Sequence, residues 1–196
     1  MIILAATKGR TPEQINKVIK DGIKVIGESR VQELLTKLPD LPKQIRIDFI
    51  GHLQTNKVKK IIKICHLIHS VDSLKLAEII NEEARKIDKI QKILLELNIA
   101  DEQTKFGFKE NKLIKVFPRL LQMKNLEISG LMTMAPYFED KEMVRPIYRQ
   151  LRQLRDLLEK QFNISLPHLS MGMSNDYQIA IEEGATIIRL GRIIFD

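Results

Sequence analysis

The stretch IILAATKGRTPEQINKVIKDGIKVI (residues 2–26) holds one complete structural repeat. It opens with a short apolar run at 2–6. Ile15, Val18 and Ile19 then recur at i, i+3 and i+4, the spacing of an amphipathic helix. Thr11 before Pro12 suits an N-cap with proline at the first helical position. Gly22 stands where a helix C-terminal glycine belongs, and a second apolar run follows at 24–26. Strand, helix and strand in this order imply parallel pairing through a right-handed crossover. Lys8 sits where the first run gives way to a loop. A lysine there is ordinarily a solvated cation; the alternative is a reactive amine, with Arg10 lending a second positive charge beside it.

The same alternation continues along the chain. Further apolar or β-branched runs lie at 45–50, 67–71, 92–99, 126–132, 168–171 and 186–190. Helical spacing returns in Val31/Leu34/Leu35, Val58/Ile61/Ile62, Leu76/Ile79/Ile80, Leu113/Val116/Phe117, Leu151/Leu154/Leu158 and Tyr177/Ala180/Ile181. Asn175-Asp176 opens the last of these, and Gly184 closes it. Eight strands separated by seven helices predict an α/β fold, most economically a single (β/α)8 barrel over residues 1–196 that lacks one outer helix. A doubly wound open sheet is the alternative.

Composition bounds the rest. The chain has 196 residues, 44% hydrophobic and 29% charged, and no linker-like or low-complexity tract. No apolar run is long enough to span a membrane, and no leader pattern follows Met1. With one cysteine, Cys65, a reducing compartment is expected, and the cytoplasm is the default. The net charge of +7 raises nucleic acid as a partner, through "KVKKIIK" (57–63) and arginines 145, 149, 152 and 155. Both clusters lie opposite apolar stripes, and aromatics are only 5% of the chain, so solvated helix faces and no nucleic acid are expected. No metal is expected either: His66 and His69, three apart on a strand, face opposite sides.

In a barrel the chemistry gathers where strands run into the following loops. "GESR" (27–30), "GHLQTNK" (51–57), "SVDS" (70–73), "NIADEQTKFG" (98–107) and "MTMAP" (132–136) all fall there, as does Lys8. So do "SMGMSND" (170–176) and "RLGR" (189–192), whose small residues expose backbone N–H groups to which a phosphate could bind. Ordinary turn glycine is the other reading of each. Arg189, inside an apolar strand, needs a hydrogen-bonding partner if it points inward, and none if it lies at the rim. Ser170 and Ser174 have no evident His–Asp partners in sequence, which leaves a spatial triad open.

Taken together, "AATK", "GESRVQELL", "DFIGHLQTNKVKK", "HSVDSLKLA", "TKFGF", "GLMTMAP" and "SMGMSNDYQIAIEEGATIIRLGRIIF" resemble the pyridoxal phosphate (PLP) homeostasis proteins, in family order and over essentially the whole chain. These are PLP carriers related to the barrel domain of alanine racemase. The resemblance implies a covalent Schiff base between PLP and Lys8. It implies a phosphate held by Ser174 and the backbone of Gly191 and Arg192, with Met173 beside them, and Arg189 facing the pyridine nitrogen. Asn56, His52 and Met132 would line the pocket. It further implies a cytoplasmic monomer that buffers PLP and delivers it to PLP-dependent apoenzymes, with no catalytic residue of its own.

A PLP-dependent racemase or lyase is the alternative, with Tyr137 as the tyrosine best placed for a base. Two departures stand out. The family's usual "SKTKP" is "TKGRT" here, so its second lysine becomes Arg10, and "GENYVQE" carries Ser29 and Arg30 in place of Asn and Tyr. A helix that generally precedes strand one is missing as well, which predicts a barrel bottom or wall less well covered.

Overall fold

The computed structural model describes residues 1–100, 102 and 105–196. Asp101, Gln103 and Thr104 lie outside the described residues, and with them part of the loop "NIADEQTKFG" and the first residue of "TKFGF". Eight parallel strands close into one barrel in sequential order. They are β1 (Ile2–Ala6), β2 (Val25–Glu28), β3 (Arg46–Phe49), β4 (Leu67–Val71), β5 (Gln91–Leu97), β6 (Leu126–Thr133), β7 (His168–Ser170) and β8 (Ile187–Leu190). The helices are α1 (Pro12–Lys20), α2 (Val31–Lys37), α3 (Val58–Ile61), α4 (Leu74–Arg85), α5 (Glu110–Leu121), α6 (Arg145–Phe162), α7 (Tyr177–Glu182) and α8 (Arg192–Phe195).

The expected barrel is therefore present, with two corrections. The eighth helix, expected to be absent, exists as the single turn α8. Its segment "RIIF" is too short to show a helical period, so pattern reading had nothing to find. A smaller correction concerns "GESR": Gly27 and Glu28 belong to β2, and the loop starts at Ser29.

Local chemistry explains the elements. Thr11 and Gln14 form a reciprocal capping box on α1, Thr11 Oγ1 accepting from Gln14 N and Gln14 Oε1 from Thr11 N. Gly22, at φ +108°, turns the chain back toward β2. Alternation along the strands then makes two apolar layers. Ala5, Ile26, Phe49, Ile68, Ile93, Leu131, Leu169 and Ile188 face outward under the helices. Leu4, Val25, Ile50, Leu67, Leu94, Met132 and Ile187 fill the barrel interior. Each of these side chains larger than alanine contributes roughly 1.5–3 kcal/mol when fully buried.

The arginine-rich face of α6 is met by acids of the same chain. Arg145 pairs with Glu142, Glu182 and Glu183, and Arg149 and Arg152 both reach Glu183. No helix among the described residues is long and apolar enough to cross a membrane.

Candidate functional site

The interior parity of β1 runs Ile2, Leu4, Ala6. Lys8 continues it one step beyond the strand, in the turn after Thr7. Its side chain is exposed and makes no hydrogen bond or ion pair with the described residues. On the neighbouring strand Arg189 stands level with Leu4. Gly191, two residues on, lies beside Ala6: a Cβ at Gly191 would sit 3.8 Å from the Ala6 Cβ.

At this end of the barrel opens a cavity of about 380 Å³. One wall is Ala6, Met173, Ser174, Arg189, Gly191 and Arg192; the other is Pro136, Tyr137 and Phe138 from the loop after β6. Five of the sequence-derived site residues, Met173, Ser174, Arg189, Gly191 and Arg192, thus meet in one place. Lys8 is not among the lining residues; it lies two residues beyond Ala6, in the turn after β1. Asn56 is not brought to this cavity; it is exposed on the 3-10 turn Thr55–Lys57 after β3. Met132 lies in the interior layer, and His52 stacks on Phe106 with centroids 3.5 Å apart while Nδ1 lies 3.0 Å from Asp72.

Two turns supply the donors. Asp176 Oδ1 accepts from Met173 N at 2.6 Å, which tightens the turn after β7. Ser174 Oγ accepts from Gly191 N at 3.3 Å and so ties that turn to the one after β8. The backbone N–H groups of Ser174, Asn175, Arg192 and Ile193 have no acceptor among the described residues. Four unmatched donors around one hydroxyl suit an anion.

Below them lies Arg189, only 5% exposed and without a carboxylate partner among the described residues. One N–H donates to Ser170 Oγ at 2.7 Å and another to the Thr133 carbonyl at 2.9 Å. A guanidinium carries five donors, and the others have no acceptor among the described residues. Burial pulls its pKa down from the ordinary value, while Tyr148, Glu96 and Asp176 act to hold it up.

Sequence reasoning missed what supports Arg189. Ser170 is hydrogen-bonded to His69 Nδ1 (2.9 Å), and His69 Nε2 lies 3.2 Å from Asp48 Oδ2. Arg46 donates to both Asp48 oxygens at 2.9 Å. Burial keeps His69 below its ordinary pKa, against the pull of Asp48, so the ring is neutral. Asp48 as a carboxylate only accepts, so Nε2 carries the proton and Nδ1 accepts from Ser170. The chain therefore has one polarity, from Arg189 through Ser170 and His69 to Asp48. A spatial Ser–His–Asp arrangement does exist, but Ser170 is fully buried and its oxygen is occupied by Arg189, so it is no nucleophile.

Glu96 is a second missed residue. It continues the interior parity of Leu94 and is 3% exposed. Burial, with Asp72 adding and Arg189 opposing, raises its carboxyl to about 7. The visible signal for these residues was parity: 46, 48 and 50, 67 and 69, and 94 and 96 share faces with interior apolar residues.

Comparison with known proteins matches this picture. The alanine racemase N-terminal domain matches residues 5–196. The chain is 47% identical to the pyridoxal phosphate homeostasis protein of Aquifex aeolicus, covering 98% of this chain and 85% of that one. It is 32% identical to the human pyridoxal phosphate homeostasis protein, over 98% and 75% of the two chains. PipY of Synechococcus elongatus PCC7942, solved with PLP bound, superposes with a TM-score of 0.92 at 33% identity, over 99% of this chain and 92% of that one. With the barrel, the rim and the motifs in agreement, this chain belongs to the pyridoxal phosphate homeostasis protein family.

Proposed function

We propose that this protein binds PLP at the barrel mouth, with Lys8 as the point of covalent Schiff-base attachment. Its role would be that of a carrier and buffer in PLP and amino-acid homeostasis. The observation that carries this reading is the convergence, in one cavity, of unmatched donors of two kinds. Ser174 and the free N–H groups of two turns suit a phosphate, and the spare N–H groups of buried Arg189 suit an aromatic nitrogen. Lys8, without a partner among the described residues, follows two residues after Ala6 of the cavity lining. The PLP-bound state of PipY supports the assignment.

PLP supplies an aldehyde that condenses with a primary amine, releasing one water. The protein's own residues do the rest. Ser174 and the free Arg192 N–H would hold the phosphate, with the Gly191 N–H, which donates to Ser174 Oγ here, joining them on binding. Arg189 donates to the ring nitrogen and, as a cation, keeps a proton off it, so the bound cofactor is a poorer electron sink than one facing a carboxylate. That suits holding over turnover. A monomer working in the cytoplasm, with PLP-dependent apoenzymes as recipients, completes the proposal.

The test is direct. Protein mixed with PLP should develop an absorption band that borohydride fixes, and peptide mass mapping should find the modification on Lys8. Lys8→Ala should lose both. An unchanged band and attachment in Lys8→Ala would sink the proposal. Tyr137 lines the cavity, so sustained amino-acid racemisation abolished by Tyr137→Phe would replace the carrier with an enzyme.

Gly191→Ala gives a milder check. The added methyl meets nothing nearer than 3.8 Å, so the fold should shift by less than about 0.5 kcal/mol. It would narrow the cavity, and PLP titration should show binding weakened about tenfold, the scale of an overpacked site.

A further inference from the structure

The turn that carries Lys8 is held by groups the binding site does not otherwise use. Lys37, at the end of α2, is buried and reaches across to the chain after β1. Its Nζ donates to the Thr7 carbonyl at 2.8 Å, to Glu28 Oε2 at 2.7 Å and to Glu33 Oε2 at 3.1 Å. Glu33 Oε2 also accepts from the Gly9 N–H at 2.9 Å. The peptide groups on both sides of Lys8 are therefore fixed to one carboxylate–ammonium cluster. Thr7 adds a hydroxyl donated to Glu28 Oε2 at 3.1 Å. On the far side of the turn, Arg10 pairs with Asp196 at 2.6 Å and lies over the Phe195 ring. The charge expected to act on Lys8 is thus directed to Asp196.

We propose that Glu33 and Lys37 are positioning residues for Lys8, holding the Thr7–Gly9 turn so that the amine is presented to the barrel mouth. This rests on the reading of Lys8 as the attachment point. The cluster is one-sided in a useful way. Lys37 is saturated by three oxygens, so it is spent as a tether and does not compete with Lys8 as an amine. Glu28 is 1% exposed and held by Lys37, Thr7 and the Ser29 N–H, which makes it the anchor of the cluster in the wall. Glu33 is the adjustable member, partly exposed and also paired with Arg30. A loop freed at Gly9 would sample many directions, and the near-attack geometry of the amine would be diluted.

The experiment uses PLP as the probe and reads attachment, not activity. After rapid mixing with PLP, the rise of the absorption band gives a rate, and borohydride with mass mapping gives the position. Glu33→Ala removes the acceptor for Gly9 and is expected to slow attachment at Lys8 about tenfold, the value of one lost charge-assisted hydrogen bond. Glu33→Gln keeps a side-chain carbonyl oxygen that can still accept from Gly9, so it should recover most of the rate. Hydrogen exchange at the Gly9 amide should accelerate in Glu33→Ala and stay near wild type in Glu33→Gln. Lys37→Met leaves Glu28 buried without its cation and is expected to unfold more readily, so the Glu33 pair carries the decision. Wild-type attachment at Lys8 with an equal rate in Glu33→Ala overturns the positioning role alone. Wild-type attachment at another residue overturns both it and the reading beneath it.

Discussion

Asp48→Ala is expected to destabilise the barrel by about 3–5 kcal/mol, a large share of the roughly 5–15 kcal/mol typical of a folded domain. Asp48 is fully buried and accepts from Arg46 and His69 at once. Removing it leaves the His69 Nε2–H without an acceptor and Arg46 without its carboxylate. Urea unfolding of the two proteins measures the difference. The pH dependence has a definite sign. Burial raises the Asp48 carboxyl, but hydrogen bonds from His69 and Arg46, with the charge of Arg46, outweigh it and hold it below the usual carboxylate value. The unfolded chain therefore binds more protons in that window, and stability rises with pH. The contribution is complete above the unfolded value of about 3.9 and is lost as pH falls through the folded one. Asp48→Asn should remove that acid limb. A limb that persists unchanged would assign it to other carboxylates.

Gly130→Ala is expected to be comparably severe, for a reason of shape. Gly130 sits on β6 at φ +151°, just past a register shift in the β5–β6 pairing, and pairs with His168 on β7. A Cβ there would lie 1.9 Å from the His168 carbonyl oxygen. The atom it meets is backbone and cannot swing aside, so the strands must part. A loss of about 3–5 kcal/mol follows, seen as a fall in Tm of roughly 10 °C or more for a chain of this size. Gly191→Ala, whose Cβ meets only ordinary contacts at 3.8 Å, is the matched control. Because β7 leads into Met173 and Ser174, Gly130→Ala should also weaken PLP binding in whatever fraction remains folded.

The barrel was readable because helices and strands write different periods, and those periods depend only on neighbours in sequence. Ile2–Ala6 and Leu67–Val71 match their expected runs at both ends. The turns after β7 and β8 were readable for the same reason: small residues at strand ends have few structural uses. Lys8 was placed by counting. What could not be read depends on closure. His69 and Ser170 are 101 positions apart, and nothing local in "LIHSV" marks the histidine as half of a pair. Glu33 and Lys37 look like an ordinary i, i+4 pair on a helix. That they clasp the peptide groups beside Lys8 follows only from how α2 lies against the chain after β1.

The polar path through the barrel has a consequence for how the chain assembles. Its members sit on β3, β4, β7 and β8, so it crosses the diameter and does not follow the ladder. A chain with only its first four strands in place has Asp48 and His69 together, while Nδ1 still lacks Ser170. The bond completes only when the last strands arrive, and the same event sets Arg189 at its post. The proposed cofactor seat is thus complete only when the barrel is closed, and a half-built barrel offers no such seat for a ligand to capture.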